Sequence, residues 1–324
     1  MKKEFVATSS GDLIKICLES CPKLNYNQLK TALRKKDVKI NGIRTSGTII
    51  ISSGDKIEIF LPNEKPRLVD YIYQDDLVAV VVKPQGVETT TDDKIFNSER
   101  LEELTGNRAC HRLDKNTEGL VVLAKNNRAY NEILQAFKNG QVHKKYLCVV
   151  TGKPKNQANL SGYLVKDAKN SVVKIFDNKQ PNSSVVKTNY KLLEQQGELS
   201  LLEVELFTGK THQIRAHLAH TGIYILGDNK YGDKQMNKKY GIKKQLLCAY
   251  NLKFEFEKNS FLSYLNDLDF QISPSFNLSE IANKIEKWST NIKKTKKWWK
   301  ISKKLKISVK NKSVRFFSKW KMSL

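Results

Sequence analysis

At 324 residues, 40% of them hydrophobic, the chain is long enough for one large domain plus one or two small modules, each able to bury a core. Its formal net charge of +24 exceeds what solubility requires and points to a polyanionic partner, either nucleic acid or an anionic membrane surface. No apolar run approaches the roughly 20 residues that span a bilayer, and Met1-Lys2-Lys3-Glu4 is not followed by the apolar stretch of a signal peptide, so a cytoplasmic location is expected.

Residues 1–62 read as a small α/β module. Leu13, Ile14, Cys17 and Leu18 are spaced for one helix, and Leu29, Ala32 and Leu33 for a second. Val38-Lys39-Ile40 then runs into Asn41-Gly42, a hairpin signal because both central residues of that turn need positive φ. Ile49, Ile51, Ile57 and Ile59 continue as short strands around Ser53-Gly54-Asp55. Lys30, Arg34, Lys35 and Lys36 are placed on the outward face of the second helix, close to the hairpin entry. Two helices, a hairpin and a basic face in this order resemble the alpha-L RNA-binding motif, and that resemblance makes these four cations candidate RNA contacts.

Residues 63–70 read as a linker, opened by Leu61-Pro62-Asn63-Glu64-Lys65-Pro66, whose two prolines stop helix and sheet alike. Residues 71–286 form the larger domain. It begins with the apolar strand Leu77 to Val82 and a turn at Lys83-Pro84-Gln85-Gly86. Strands follow at Leu120 to Ala124, Tyr146 to Val150, Ser171 to Phe176, Val185 to Leu193 and Leu201 to Phe207, with helices at Asn127 to Phe137 and Thr211 to Ala219. Runs of strands with few helices between them predict an α+β fold, a mixed and mainly antiparallel sheet with flanking helices. Residues 287–324 are a separate tail: fourteen Lys or Arg, no acid, and all four tryptophans. Trp298, Ile301, Leu305 and Val309 share one helical face there, suited either to stacking on RNA bases or to lying on a membrane surface.

Cys17, Cys21, Cys110, Cys148 and Cys248 are odd in number and contain no C-x-x-C pair, so reduced thiols are expected, with Cys17 and Cys21 packing on one helix. His212, His217 and His220 lack a carboxylate or cysteine to complete a metal set, and no metal is expected.

The most informative stretch is Cys110-His111-Arg112-Leu113-Asp114-Lys115-Asn116-Thr117-Glu118-Gly119-Leu120, a polar loop that feeds directly into an apolar strand. It presents one carboxylate, Asp114, between two cations, Arg112 and Lys115. All seven specified positions of the motif H-R-L-D-x-x-T-x-G-L are met, and the stretch resembles the catalytic motif of RluA-type RNA pseudouridine synthases. Lys83-Pro84-x-Gly86, Lys144-Lys145-Tyr146-Leu147, Gly209-Lys210-Thr211-His212-Gln213-Ile214-Arg215-Ala216-His217, Gly227-Asp228-x-x-Tyr231-Gly232 and Leu246-Leu247-Cys248-Ala249 follow in the family's order. The departures are Cys248, where many members have His, and Val87-Glu88-Thr89, where a His-Pro pair is common.

The resemblance implies an isomerase that needs no cofactor. Uracil is detached from C1′ of its ribose, turned, and rejoined through C5. Such a reaction requires an ionised carboxylate in a fairly dry pocket; burial alone raises an Asp pKa, so a paired cation is needed. By resemblance Asp114 is the carboxylate, Arg215 its guanidinium partner, and Tyr146 the ring that lies against the uracil. Attack of Asp114 on C6, attack on C1′ and removal of the C2′ proton are all open. The target base must be flipped out of its stack, and Arg112 is the candidate either to fill the gap or to bind phosphate. His212 and Gln213 are expected to contact RNA. A module of this kind ahead of such a domain resembles the RluC-like branch, which implies large-subunit ribosomal RNA as substrate, with tRNA as an alternative. A non-catalytic RNA-binding or ribosome-assembly protein is the other reading, and a monomer is the expected state.

Overall fold

In the computed structural model, residues 2–21, 24, 26–47, 49–61, 68–90 and 99–283 are described. The basic tail at residues 287–324 and residues 62–67 of the Pro-containing linker segment lie outside them. The chain divides into two compact units, Met1–Phe276 and Asn277–Leu324. Of the second, residues 278–283 are helical.

Residues 2–60 hold β1 (Lys2–Val6), β2 (Gly11–Asp12), α1 (Leu13–Ser20) and α2 (Tyr26–Arg34). They continue with β3 (Val38–Ile40), β4 (Ile43–Thr45), β5 (Ile50–Ile51) and β6 (Lys56–Phe60). Asp12 caps α1 by accepting the Lys15 N–H at 3.0 Å. Leu13, Ile16 and Cys17 of α1 meet Leu29, Ala32 and Leu33 of α2 over the buried faces of β3 and β6. Asn41 and Gly42 have φ of 49° and 81°, the positive values the hairpin turn demands. A four-stranded sheet runs β1-β6-β3-β4. Sequence periodicity did not reveal β1, whose lysines and glutamate are held from across the sheet: Lys2 pairs with Glu58, and Lys56 with Glu4.

Residues 70–271 contain β7 (Asp70–Gln74), β8 (Val78–Lys83), α3 (Leu101–Thr105), β9 (Arg108–Ala109), β10 (Glu118–Ala124), α4 (Asn127–Lys138) and β11 (Val142–Thr151). After these come β12 (Gln157–Asp167), β13 (Val172–Phe176), β14 (Ser184–Gln196), β15 (Leu199–Leu206), α5 (Gln213–His220) and β16 (Tyr224–Ile225). The last elements are α6 (Lys234–Tyr240), β17 (Leu247–Phe254) and β18 (Asp269–Gln271). Among the described residues they form one twelve-stranded sheet with the path β13-β12-β14-β15-β11-β17-β10-β8-β7. Its described pairings are antiparallel except β10 with β17. The α+β architecture expected from the sequence is therefore the one observed.

Every residue of β10 is buried, because both faces of the sheet are covered. Val121 and Leu123 point into a core shared with Tyr146, Ile214 and Leu218, while Leu120, Val122 and Ala124 point into a second with Ala129, Ile133 and Phe254. The former core, under α5, is the face on which the site is built.

The register at Ala249 of β17 sets the geometry of that face. Ala249 lies opposite Gly119 of β10 on one side and Tyr146 of β11 on the other, so the loop before β10 and the ring of Tyr146 reach the same level of the sheet. Gly119, at φ 127°, cannot be another residue: a Cβ there would overlap the Ala249 carbonyl oxygen and sit 2.5 Å from its nitrogen. Gly119→Ala is expected to cost about 1–3 kcal/mol, the range for forced overpacking. Denaturant unfolding checks this, and an unchanged midpoint would show that β10 and β17 can separate freely.

Candidate active site

Asp114 sits in a loop that is fastened at several points. The Thr89 hydroxyl accepts the Leu113 N–H and donates to the Leu113 carbonyl, both at 3.1 Å. The Lys115 carbonyl accepts from the Gly86 N–H at 2.7 Å and from Lys83 Nζ at 3.3 Å. Lys83, fully buried, also donates to the carbonyls of Val87 at 2.7 Å and Pro84 at 3.1 Å. Gln245 Nε2 donates to the Thr117 hydroxyl at 2.6 Å. Such fastening fixes where the carboxylate is held.

The partner of Asp114 is Arg215, delivered by α5. Arg215 Nη1 donates to Asp114 Oδ2 at 2.8 Å. Its other edge grips Asp228 through Nε at 2.7 Å and Nη2 at 3.0 Å, the fork geometry that only a guanidinium provides. Side-chain exposure falls from 23% at Asp114 through 7% at Arg215 to 0% at Asp228. Burial opposes the charge on both inner members. For Arg215 the two carboxylates overcome it and raise the pKa above the usual value. For Asp228, hydrogen bonds and charge from Arg215, with the N–H groups of Lys230 and Tyr231, hold the carboxyl below its usual range. One carboxylate, Asp228, thus anchors the guanidinium, and the other stands at the solvent edge.

Tyr146 is buried in β11. Burial and the Asp114 charge raise its pKa, and its hydroxyl forms no hydrogen bond among the described residues. The side chain is a neutral phenol with its polar end available.

His212 precedes α5 in a left-handed conformation, φ 54°, a backbone state that costs free energy and is common at working sites. Its Nε2 lies 4.0 Å from Asp114 Oδ2, and its Nδ1 is 2.9 Å from the Tyr231 hydroxyl. That hydroxyl also accepts the Val173 N–H at 2.7 Å; if it gives its own proton to Nδ1, the ring proton sits on Nε2, on the side of Asp114. Burial, together with the charges of Arg215 and Lys230, lowers the His212 pKa against the pull of Asp114.

Gln213 does not face RNA as the sequence suggested. It is 2% exposed: its Nε2 donates to the Lys187 carbonyl and Thr188 hydroxyl, and its Oε1 accepts from the Thr208 hydroxyl and Lys210 N–H, so every hydrogen-bonding position is used inside the fold. His217 is likewise internal, its Nδ1 3.0 Å from the Thr188 hydroxyl, and His220 meets Asp177 at 2.9 Å. Arg112 is exposed on the Asp114 loop. Lys30 and Arg34 are exposed on α2, while Lys35 and Lys36, also exposed, fall in the turn after it. Among residues that periodicity and motif reading left without a role, Asp228 and Tyr231 stood within a quoted motif. Lys83 also stood within a quoted motif and Thr89 at a noted departure from one, though neither was given a role, while Gln245 gave no signal beyond being a polar residue beside an apolar run.

Asp228→Ala should destabilise the fold by about 3–5 kcal/mol, because it leaves Arg215 with one carboxylate in a buried setting; a change below about 1 kcal/mol on urea unfolding would mean the pair is not structural. His111 supplies a pH test. Its ring lies 5.0 Å from Phe137 and its Nε2 accepts the Val122 N–H at 3.2 Å. Burial and the Lys144 charge push its pKa from 6.5 down to about 3. The unfolded chain then binds a proton the folded one refuses, so stability falls as pH drops from 6.5 toward 3, by up to about 1.4 kcal/mol per pH unit. His111→Gln should flatten that slope in urea titrations, and parallel curves for the two proteins would refute it.

The RNA pseudouridylate synthase family pattern matches residues 77–220. Ribosomal large subunit pseudouridine synthase C of Rickettsia felis is 35% identical over 243 residues, covering 66% of this chain and 79% of the relative. An RNA pseudouridine synthase of Mycoplasma pneumoniae is 33% identical over 282 residues, 76% of this chain and 86% of the relative. The structure of human RNA Pseudouridylate Synthase Domain Containing 4 superposes with a TM-score of 0.53 at 21% identity, over 67% of this chain and 93% of that one.

Proposed function

This chain belongs to the RNA pseudouridylate synthase family and is an isomerase that converts uridine in RNA to pseudouridine; within that chemistry we propose Asp114 as the catalytic carboxylate, acting on large-subunit ribosomal RNA. The observation that carries the assignment of Asp114 is its bond to Arg215, which is itself locked to the fully buried Asp228. The reaction breaks N1–C1′ and forms C5–C1′; the C5 proton is lost, N1 gains one, and no electrons are exchanged. Whether the carboxylate meets C6, C1′ or the C2′ proton first, it begins as an anion and must return to one. A guanidinium with no access to deprotonation at neutral pH serves that cycle better than a lysine.

Tyr146 supplies the stacking face for uracil, and its hydroxyl stands ready for proton transfer at C5. His212 presents Nε2–H at the rim of the same site, toward RNA. Arg112 either fills the gap left by the flipped uridine or pairs with phosphate. The exposed cations Lys30, Arg34, Lys35 and Lys36 act as the contacts of an N-terminal RNA-binding module. The ribosomal assignment is supported by the name of the Rickettsia felis relative.

Asp114→Asn should abolish pseudouridine formation, a loss of at least about 1000-fold, while RNA affinity stays within about threefold. Pseudouridine maps of all RNAs from cells carrying wild type, Asp114→Asn or no gene read both claims. Sites lost from large-subunit ribosomal RNA support the substrate assignment, sites lost only from tRNA overturn it, and an unchanged map with Asp114→Asn ends the catalytic one.

A further inference from the structure

Beside the Asp114 loop, on the side of α4, lies an open cleft of about 570 Å³ whose wall includes Glu102, Asn107, Arg108, Arg112 and Tyr130. The isomerisation uses none of these except Arg112. The Arg108 guanidinium carbon is 3.6 Å from the centre of the Tyr130 ring, the separation of two planes in van der Waals contact. The guanidinium packs on the ring, yet Arg108 remains exposed. A long side chain that would otherwise be floppy is held against α4 at the surface.

The charges in the cleft are not neutralised locally. Among the described residues, neither Arg108 nor Arg112 forms an ion pair with a carboxylate. The nearby acids are engaged elsewhere: Glu103 with Arg100 at 3.3 Å, and Glu102 through Oε1 with the Ala109 N–H at 2.8 Å. Two guanidiniums in one cleft suit a phosphate. A bare phosphate, though, would not call for a stacked platform or for a carboxylate in the wall. A nucleotide accounts for all of these: its base stacks on a guanidinium plane, its phosphate takes the remaining cation, and its base edge meets an acceptor such as Glu102 and the amide of Asn107. Arg112 is two residues from Asp114, at most about 7 Å along the chain, so whatever touches Arg112 here is close to the reacting uridine.

We propose that this cleft binds an RNA nucleotide flanking the target uridine, its base stacked on Arg108 and its phosphate near Arg112, and so selects which uridine is modified. The inference rests on the reading of the chain as a pseudouridine synthase whose Arg112 contacts RNA. Base identity is read at Glu102 and Asn107; stacking itself is tolerant of sequence.

The test uses the full-length chain and a short RNA carrying a uridine that the wild type modifies, with the three nucleotides on each side randomised. Wild type is expected to show a preference at one flanking position. Arg108→Ala should lower kcat/KM by about 5–100-fold, mostly through KM, as loss of one base-stacking contact implies. Glu102→Gln should change which base is preferred at that position. Arg108→Lys, which keeps the charge and loses the flat stack, should not restore kcat/KM. A loss restored by Arg108→Lys, or preferences unchanged in Glu102→Gln and Arg108→Ala while urea unfolding shows both folded, would overturn the proposal. Failure of the enzyme reading looks different: wild type would modify no RNA at all, and both conclusions would fall.

Discussion

A guanidinium shared between two carboxylates is the interaction on which the site depends. Asp228 takes two of the Arg215 nitrogens in the fully buried interior and Asp114 takes the third at the solvent edge, so the strong grip is on the inside and Asp114 receives what is left. Low dielectric at Asp228 makes that grip stiff, while Asp114 remains partly reachable from solvent. Asp228 is in turn held by backbone N–H groups of Lys230 and Tyr231, and Tyr231 reaches His212 through its hydroxyl. Three segments distant in sequence are thereby tied to one cation.

The sheet supplies the other half of the placement. Asp114 lies in the loop before β10 and Tyr146 in β11, two strands that do not pair with each other among the described residues, and the two side chains meet at one level only because Ala249 is registered against both neighbours. A register slip of β17 by one residue would turn its side chains to the other core and carry Tyr146 and the Asp114 loop apart. The parallel pairing of β10 with β17, in a sheet otherwise antiparallel in its described pairs, is what brings the start of β10 to that level, and it needs the missing side chain of Gly119.

Much of this was legible in sequence where a local rule carried the information. Helix spacing placed α1, α2 and α4, the Asn41-Gly42 pair placed the hairpin, and motif order brought Asp114, Tyr146 and Arg215 forward together. What local rules do not encode was missed. β1 and β12 alternate regularly in burial, but few of their side chains are fully buried and their pairing comes from across the sheet, so the apolar signal in their sequence is weak. Gln213 stood inside a motif rich in polar residues, and nothing in its neighbours distinguishes a side chain reaching outward from one satisfied by Lys187, Thr188, Thr208 and Lys210. Thr89 and Lys83 act on a loop 24 to 32 residues further along, a distance over which periodicity says nothing.

Lys83 gathers three backbone carbonyls around one buried ammonium group, much as a calcium ion gathers oxygens in a binding loop. Here the cation is tethered to the chain. A calcium-built loop opens when the ion is scarce or chelated, but this one carries its organising charge on β8 and keeps its shape whatever the ionic composition around it. The carboxylate it helps to hold is therefore in place before any RNA arrives.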